Sequence, residues 1–151
     1  MNSFYKTIQL PIYGIASMLF VIFYPMLISI YVFLPLFIGT MGYLLMKGIE
    51  ENRIFYILLP FLYFINLEVN LSLPFFLTMI TSLIVYVFFY HHLNYFRKCM
   101  ICRPILSVLL IDGLYLISLL AYDFVFQTHT IVLDYILLYS LIVDLLVVVV
   151  L

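Results

Sequence analysis

The chain has 151 residues, a formal net charge of −1, and 68% hydrophobic against 9% charged residues. With a mean hydropathy of +1.31, this composition leaves too little polar surface for a water-soluble domain of this size, and the few basic residues form no cluster suited to nucleic acid. Lipid is the expected solvent, and residues 1–151 read as a single all-α, polytopic membrane domain with no soluble part.

In chain order, "MNSFYKTIQLPIYG" carries one lysine before a long apolar run and lacks a small-residue cleavage site, so it reads as a retained first span. Residues Ile8 to Met46 are nearly all apolar. As one helix they would run roughly 58 Å, about twice the hydrocarbon core. The run is expected to fold back at Tyr24-Pro25, because Pro25 lacks an N–H and disfavours helix in the residue before it. This gives a first span near Ile8–Phe23 and a second near Pro25–Met46. After "KGIEENR", a third span runs from about Asn52 to Asn66 and a fourth from about Pro74 to Tyr90 or a turn beyond. The loop "HHLNYFRKCMICR" leads to Pro104, a good first-turn residue. A fifth span covers Pro104–Phe124, "FQTHT" turns the chain, and a sixth runs from about Ile131 to Leu151.

Six spans place Lys6, Lys47, Arg53, Arg97, Lys98 and Arg103, all the basic residues of the chain, on one side. Loops rich in Lys and Arg stay in the cytoplasm, so both termini are expected inside. Glu68, within "INLEVNLSLPFF", then falls at the outer turn between the third and fourth spans. There it either marks where the chain meets water, with Asn66, Asn70 and Ser72 closing the helix ends, or offers a contact to a partner on the outer face.

The other acids sit inside apolar runs that hold no Lys or Arg. Asp112 and Asp144 are expected at matching depth, about 10–12 Å from the same side, and Asp123 with Asp134 forms a second, outer pair. A lone ionised aspartate at mid-depth costs at least about 2.5 kcal/mol, so these groups must face the interior, carry a proton, or find partners such as Tyr115, Ser118, Tyr139 and Ser140. Two close carboxyls share a proton. The pair reads as a hydrogen-bonded lock on helix register, a contact for a partner helix, or a cation or proton site.

His91, His92, Cys99 and Cys102 are a chemically sensible zinc set, but paired-knuckle spacing is absent, so no metal is expected. A disulfide is not expected on the reducing side. Gly39, Gly42, Gly48 and Gly113 allow close helix approach. The chain has no phosphate loop, nucleophile elbow or H-E-x-x-H, so neither enzyme activity nor a cofactor is expected.

Three stretches resemble the MreD rod-shape-determining family. They are "VFLPLF" with Pro35, "NLEVNLSLPFF" with Glu68 in the acidic position, and "SVLLIDGLYLIS" with Asp112. The likeness spans about Tyr31 to Phe126. It implies a non-enzymatic component of the bacterial inner membrane in the cell-shape and peptidoglycan elongation machinery. Such a component binds a single-pass scaffold of the MreC type and, through it, actin-like MreB and the peptidoglycan synthases. It also implies a six-helix fold similar to the substrate-binding subunits of energy-coupling-factor transporters. From that likeness follows the alternative of a vitamin-binding transporter subunit, with Glu68, Asp123 and Asp134 lining an outer pocket. The intramembrane aspartates alone suggest a third, a small proton- or ion-conducting subunit.

Overall fold

The computed structural model describes residues 2–31, 33–95, 99, 101–127 and 135–150, without the side chains of 2–11, 90, 91, 93, 94 and 135–137. Helices alone make up its regular structure among these residues: α1 (Asn2–Ile30), α2 (Ile38–Glu51), α3 (Ile54–Leu71), α4 (Leu77–Tyr95), α5 (Cys102–Phe126) and α6 (Tyr135–Val150). Among the described residues, three segments are long and apolar enough to cross a membrane: Ile12–Ile30, Ile54–Leu71 and Cys102–Phe126. The apolar stretches Leu77–Phe89 and Leu138–Val150 are shorter.

The first reversal lies later than the sequence suggests. Tyr24 and Pro25 stand inside α1, and the chain leaves helix only at Tyr31. Pro25 has no N–H to give the Val21 carbonyl four residues earlier. Asn66 on α3 replaces it: its side-chain amide donates to the Val21 oxygen at 3.0 Å and to that of Ile22 at 2.8 Å. A neighbouring helix thus meets the carbonyl that Pro25 orphans, which is how proline is tolerated within apolar helices. Asn66 therefore serves α1 and closes no helix end. Asn70 in turn donates to the Asn66 carbonyl and side-chain oxygens.

The second element is correspondingly short. The 14 residues of α2 span about 21 Å, short of a hydrocarbon core of about 30 Å. Before them, residues 33–37 are non-helical, and their backbone groups are met by side chains. The Tyr24 hydroxyl donates to the Pro35 carbonyl at 2.8 Å, the Tyr63 hydroxyl to that of Leu36 at 2.7 Å, and the Leu36 N–H to Ser140 Oγ at 2.9 Å. Irregular backbone in an apolar setting persists only where protein groups satisfy it.

Short as it is, α2 is central and packs on α3, α4, α5 and α6, whereas α1 packs on α3 alone among the described helices. Its glycines permit this. A Cβ on Gly39 would stand 2.6 Å from Val108 Cγ1, and one on Gly42 2.8 Å from Ile111 Cδ1, so α5 lies directly against α2. Gly48 meets the Tyr56 backbone of α3. Gly113, by contrast, has nothing within 4 Å of such a Cβ, so it allows no close approach. Tyr63, Phe64 and Leu67 of α3, Val108 and Ile111 of α5 and Leu45 of α2 are fully buried.

The third helix runs five residues past Asn66 to Leu71, and α4 begins at Leu77 rather than Pro74. Ser72, in the left-handed region at φ 52°, ends α3, and the Leu73 N–H returns to the Glu68 carbonyl at 3.0 Å. Glu68 consequently lies in the last turn of α3 with its side chain inside the protein.

Candidate functional site

A helix start leaves backbone N–H groups without intrahelical partners, and in an apolar interior each must be met. Both α2 and α4 start this way after the same short phrase. Leu34-Pro35-Leu36-Phe37 precedes α2 and Leu73-Pro74-Phe75-Phe76 precedes α4. Each closing phenylalanine sits in the left-handed region, Phe37 at φ 50° and Phe76 at φ 63°. Its carbonyl then accepts the first helical bond, from Met41 at 3.1 Å and from Ile80 at 2.9 Å. Phenylalanine has no side-chain acceptor, so it cannot cap. A carboxylate from elsewhere does so in both places.

At α4 the cap is Glu68, 1% exposed. Phe76 N–H donates to its Oε2 at 2.7 Å, while the Thr78 N–H and hydroxyl donate to its Oε1 at 2.9 and 2.6 Å. At α2 it is Asp144, also 1% exposed. Gly39 N–H donates to its Oδ2 at 3.0 Å, the Thr40 hydroxyl lies 3.2 Å from its Oδ1, and the Thr40 N–H faces the same group. The positive end of each helix dipole also favours the anion there. Ser140, one turn before Asp144, holds Leu36, so one face of α6 grips the whole start of α2.

The fifth helix adds one further group to each start. Asp112 stands against Gly39, its two oxygens 2.8 and 2.9 Å from where a Cβ would be, and it interacts with Asp144. Tyr115, one turn later on the same face, is buried beside Glu68. Among the described residues, Asp112 Oδ2 and the Tyr115 hydroxyl have no hydrogen-bond partner.

These positions correct several sequence expectations. Glu68 does not stand at a water-facing turn, because α3 continues past it and α4 folds over it, leaving its side chain buried. The partners of Asp144 are Gly39, Thr40 and Asp112 rather than Tyr139. Asp123 is half-buried in the last turn of α5, and Asp134 lies outside the described residues. The cleft beside Lys47 and the small apolar pocket between α1 and α3 are lined by none of Glu68, Asp112, Asp123 or Asp144. Cys99 and Cys102 are joined as a disulfide, contrary to expectation. Three residues apart, with Cα atoms at 5.3 Å, they lie within bridging range. His92 is exposed on α4, and the His91 side chain lies outside the described residues.

Sequence reasoning missed Thr40, Thr78, Tyr24 and Tyr63. The repeated Leu-Pro-x-Phe with a threonine two or three residues on is the signal that points to the two threonines. Comparisons of the chain with protein-family models, curated proteins and solved structures return no match.

Proposed function

We propose that this chain is a non-enzymatic, six-span component of the bacterial inner membrane that binds a single-pass partner in the cell-wall elongation machinery, as its MreD resemblance implies. The observation that supports this reading is how the buried acids are engaged. Both oxygens of Glu68 and both of Asp144 are occupied by the starts of α4 and α2. These acids serve the shape of a membrane-embedded body rather than a solute. The partner contact then falls on the outer, lipid-facing helix surfaces. α1 offers the most room for a single-pass helix, since it has one neighbouring helix among those described.

The spans cross with both termini inside, and residues 33–37 supply the length that α2 lacks. Reporter fusions at Gly48 and Met100 should therefore read cytoplasmic and one at Asn70 external, and the Cys99–Cys102 bridge, on the reducing side, should be open in the cell. The functional test is co-purification with a single-pass coiled-coil partner, together with depletion in a rod-shaped host. Rounded cells and a retained partner support the proposal. Unchanged shape together with tight binding of a vitamin by the purified protein would replace it with the transporter reading.

A second reading, a proton-handling subunit, is favoured by the two unpartnered atoms on α5. Asp112 with Asp144, then Tyr115 with Glu68, set three carboxyl groups and a phenol along one helix face. Two carboxyls in contact without a cation hold one proton between them. Proteoliposomes carrying a pH gradient test it: dissipation that Asp112→Asn abolishes supports conduction, and a stable gradient with the wild type rules it out.

A further inference from the structure

A cleft of about 350 Å³ opens between the last two turns of α2 and the start of α5, lined by Tyr43, Met46, Lys47, Glu50, Glu51 and Arg103. Its volume is in the range of small-molecule sites, about 300–1,000 Å³. Four of its six lining residues are charged, yet three of those charges are already committed. Arg103 pairs with Glu50 at 2.6 Å, both partly buried, and Arg53, outside the cleft, pairs with Glu51 at 3.3 Å. Lys47 is exposed and makes no ion pair among the described residues. Tyr43 lies one turn before it on the same face of α2. The cleft therefore carries one uncommitted cation and a phenol, with Met46, 4% exposed, as its apolar floor.

We infer that this cleft holds the phosphodiester headgroup of an anionic membrane phospholipid, with Lys47 as the charge partner and Tyr43 as a second donor. An ammonium beside a phenol selects an anion that accepts hydrogen bonds. With Glu50 and Glu51 neutralised by Arg103 and Arg53, Lys47 leaves the cleft one net positive charge, which matches a singly charged phosphodiester over a phosphomonoester. The apolar floor at the level of the charged helix ends suits a ligand that is charged at one end and hydrocarbon at the other.

The test is native mass spectrometry of the full chain in detergent, titrated with phosphatidylglycerol, with diacylglycerol lacking the phosphate, and with soluble glycerophosphoglycerol as competitor. Phosphatidylglycerol should bind and diacylglycerol should not. Lys47→Gln should weaken binding roughly tenfold, the loss of one charge-assisted hydrogen bond, and Lys47→Arg should keep it. Tyr43→Phe should weaken it by a smaller factor. Equal binding of diacylglycerol would show mere adhesion to an apolar groove. Displacement by the soluble headgroup at equal concentration would show that a free anion is the ligand. Either result, or unchanged binding in Lys47→Gln, overturns the inference.

Discussion

The starts of α2 and α4 pose the same problem and draw their acids from very different distances along the chain. Glu68 lies 8 and 10 residues from the two backbone donors it caps. Asp144 lies 105 residues from Gly39. The α4 cap closes as soon as α3 and α4 form a hairpin, whereas the α2 cap closes only when the last helix docks. The neighbours differ as well: a second carboxyl, Asp112, stands beside Asp144, and a phenol, Tyr115, beside Glu68. One start is therefore a local device with no substitute. The other is a keystone with a reserve acceptor at hand.

This contrast orders the expected effects. Glu68→Ala leaves three donors without an acceptor, two of them on buried Thr78, and should destabilise the protein by about 3 kcal/mol or more, read as a shift in a detergent unfolding titration. Asp144→Ala should cost less, about 2 kcal/mol, because Asp112 can accept from Gly39. The double change Asp112→Ala with Asp144→Ala should then exceed the sum of the single effects, and strict additivity would remove the reserve role from Asp112.

Gly39→Ala should cost about 1–3 kcal/mol through overpacking against Val108 and Asp112. Gly113→Ala, in open space on α5, should instead gain up to about 1 kcal/mol from helix propensity. Equal effects at the two glycines would break the assignment of α2 as the tightly packed centre. Asn66→Leu should cost about 1–2 kcal/mol by exposing the carbonyls around Pro25, with loosening confined to the middle of α1. Thr78→Val should have the smallest loss, about 1 kcal/mol, because the Thr78 N–H still reaches Glu68.

The all-α class was legible in the sequence because long apolar runs without charges admit little else, and the helix ends at Glu51, Tyr95 and Phe126 fall within a few residues of the polar loops. The first reversal was not legible. Pro25 breaks a helix by local rules, and what overrides them is Asn66, 41 residues further on. Asn66 itself resembles a helix-end residue, so reading it as a cap displaced Glu68 to the surface. The caps were hidden for a related reason. An acid in an apolar run signals an interior partner but does not name it, and the donors at Gly39 and Phe76 are backbone groups that carry no side-chain signature. Only the repeated Leu-Pro-x-Phe hints that two buried helix starts need acceptors.

The central claim is that each acid closes its own helix start. Amide hydrogen exchange of the full chain in lipid nanodiscs tests it most directly, comparing wild type with Asp144→Ala and Glu68→Ala. Asp144→Ala should unprotect residues 36–42, though less than the double change with Asp112→Ala, and leave 76–80 as slow as in the wild type, and Glu68→Ala should do the reverse. Both substitutions loosening the same segment, or neither loosening its own helix start, would contradict the account.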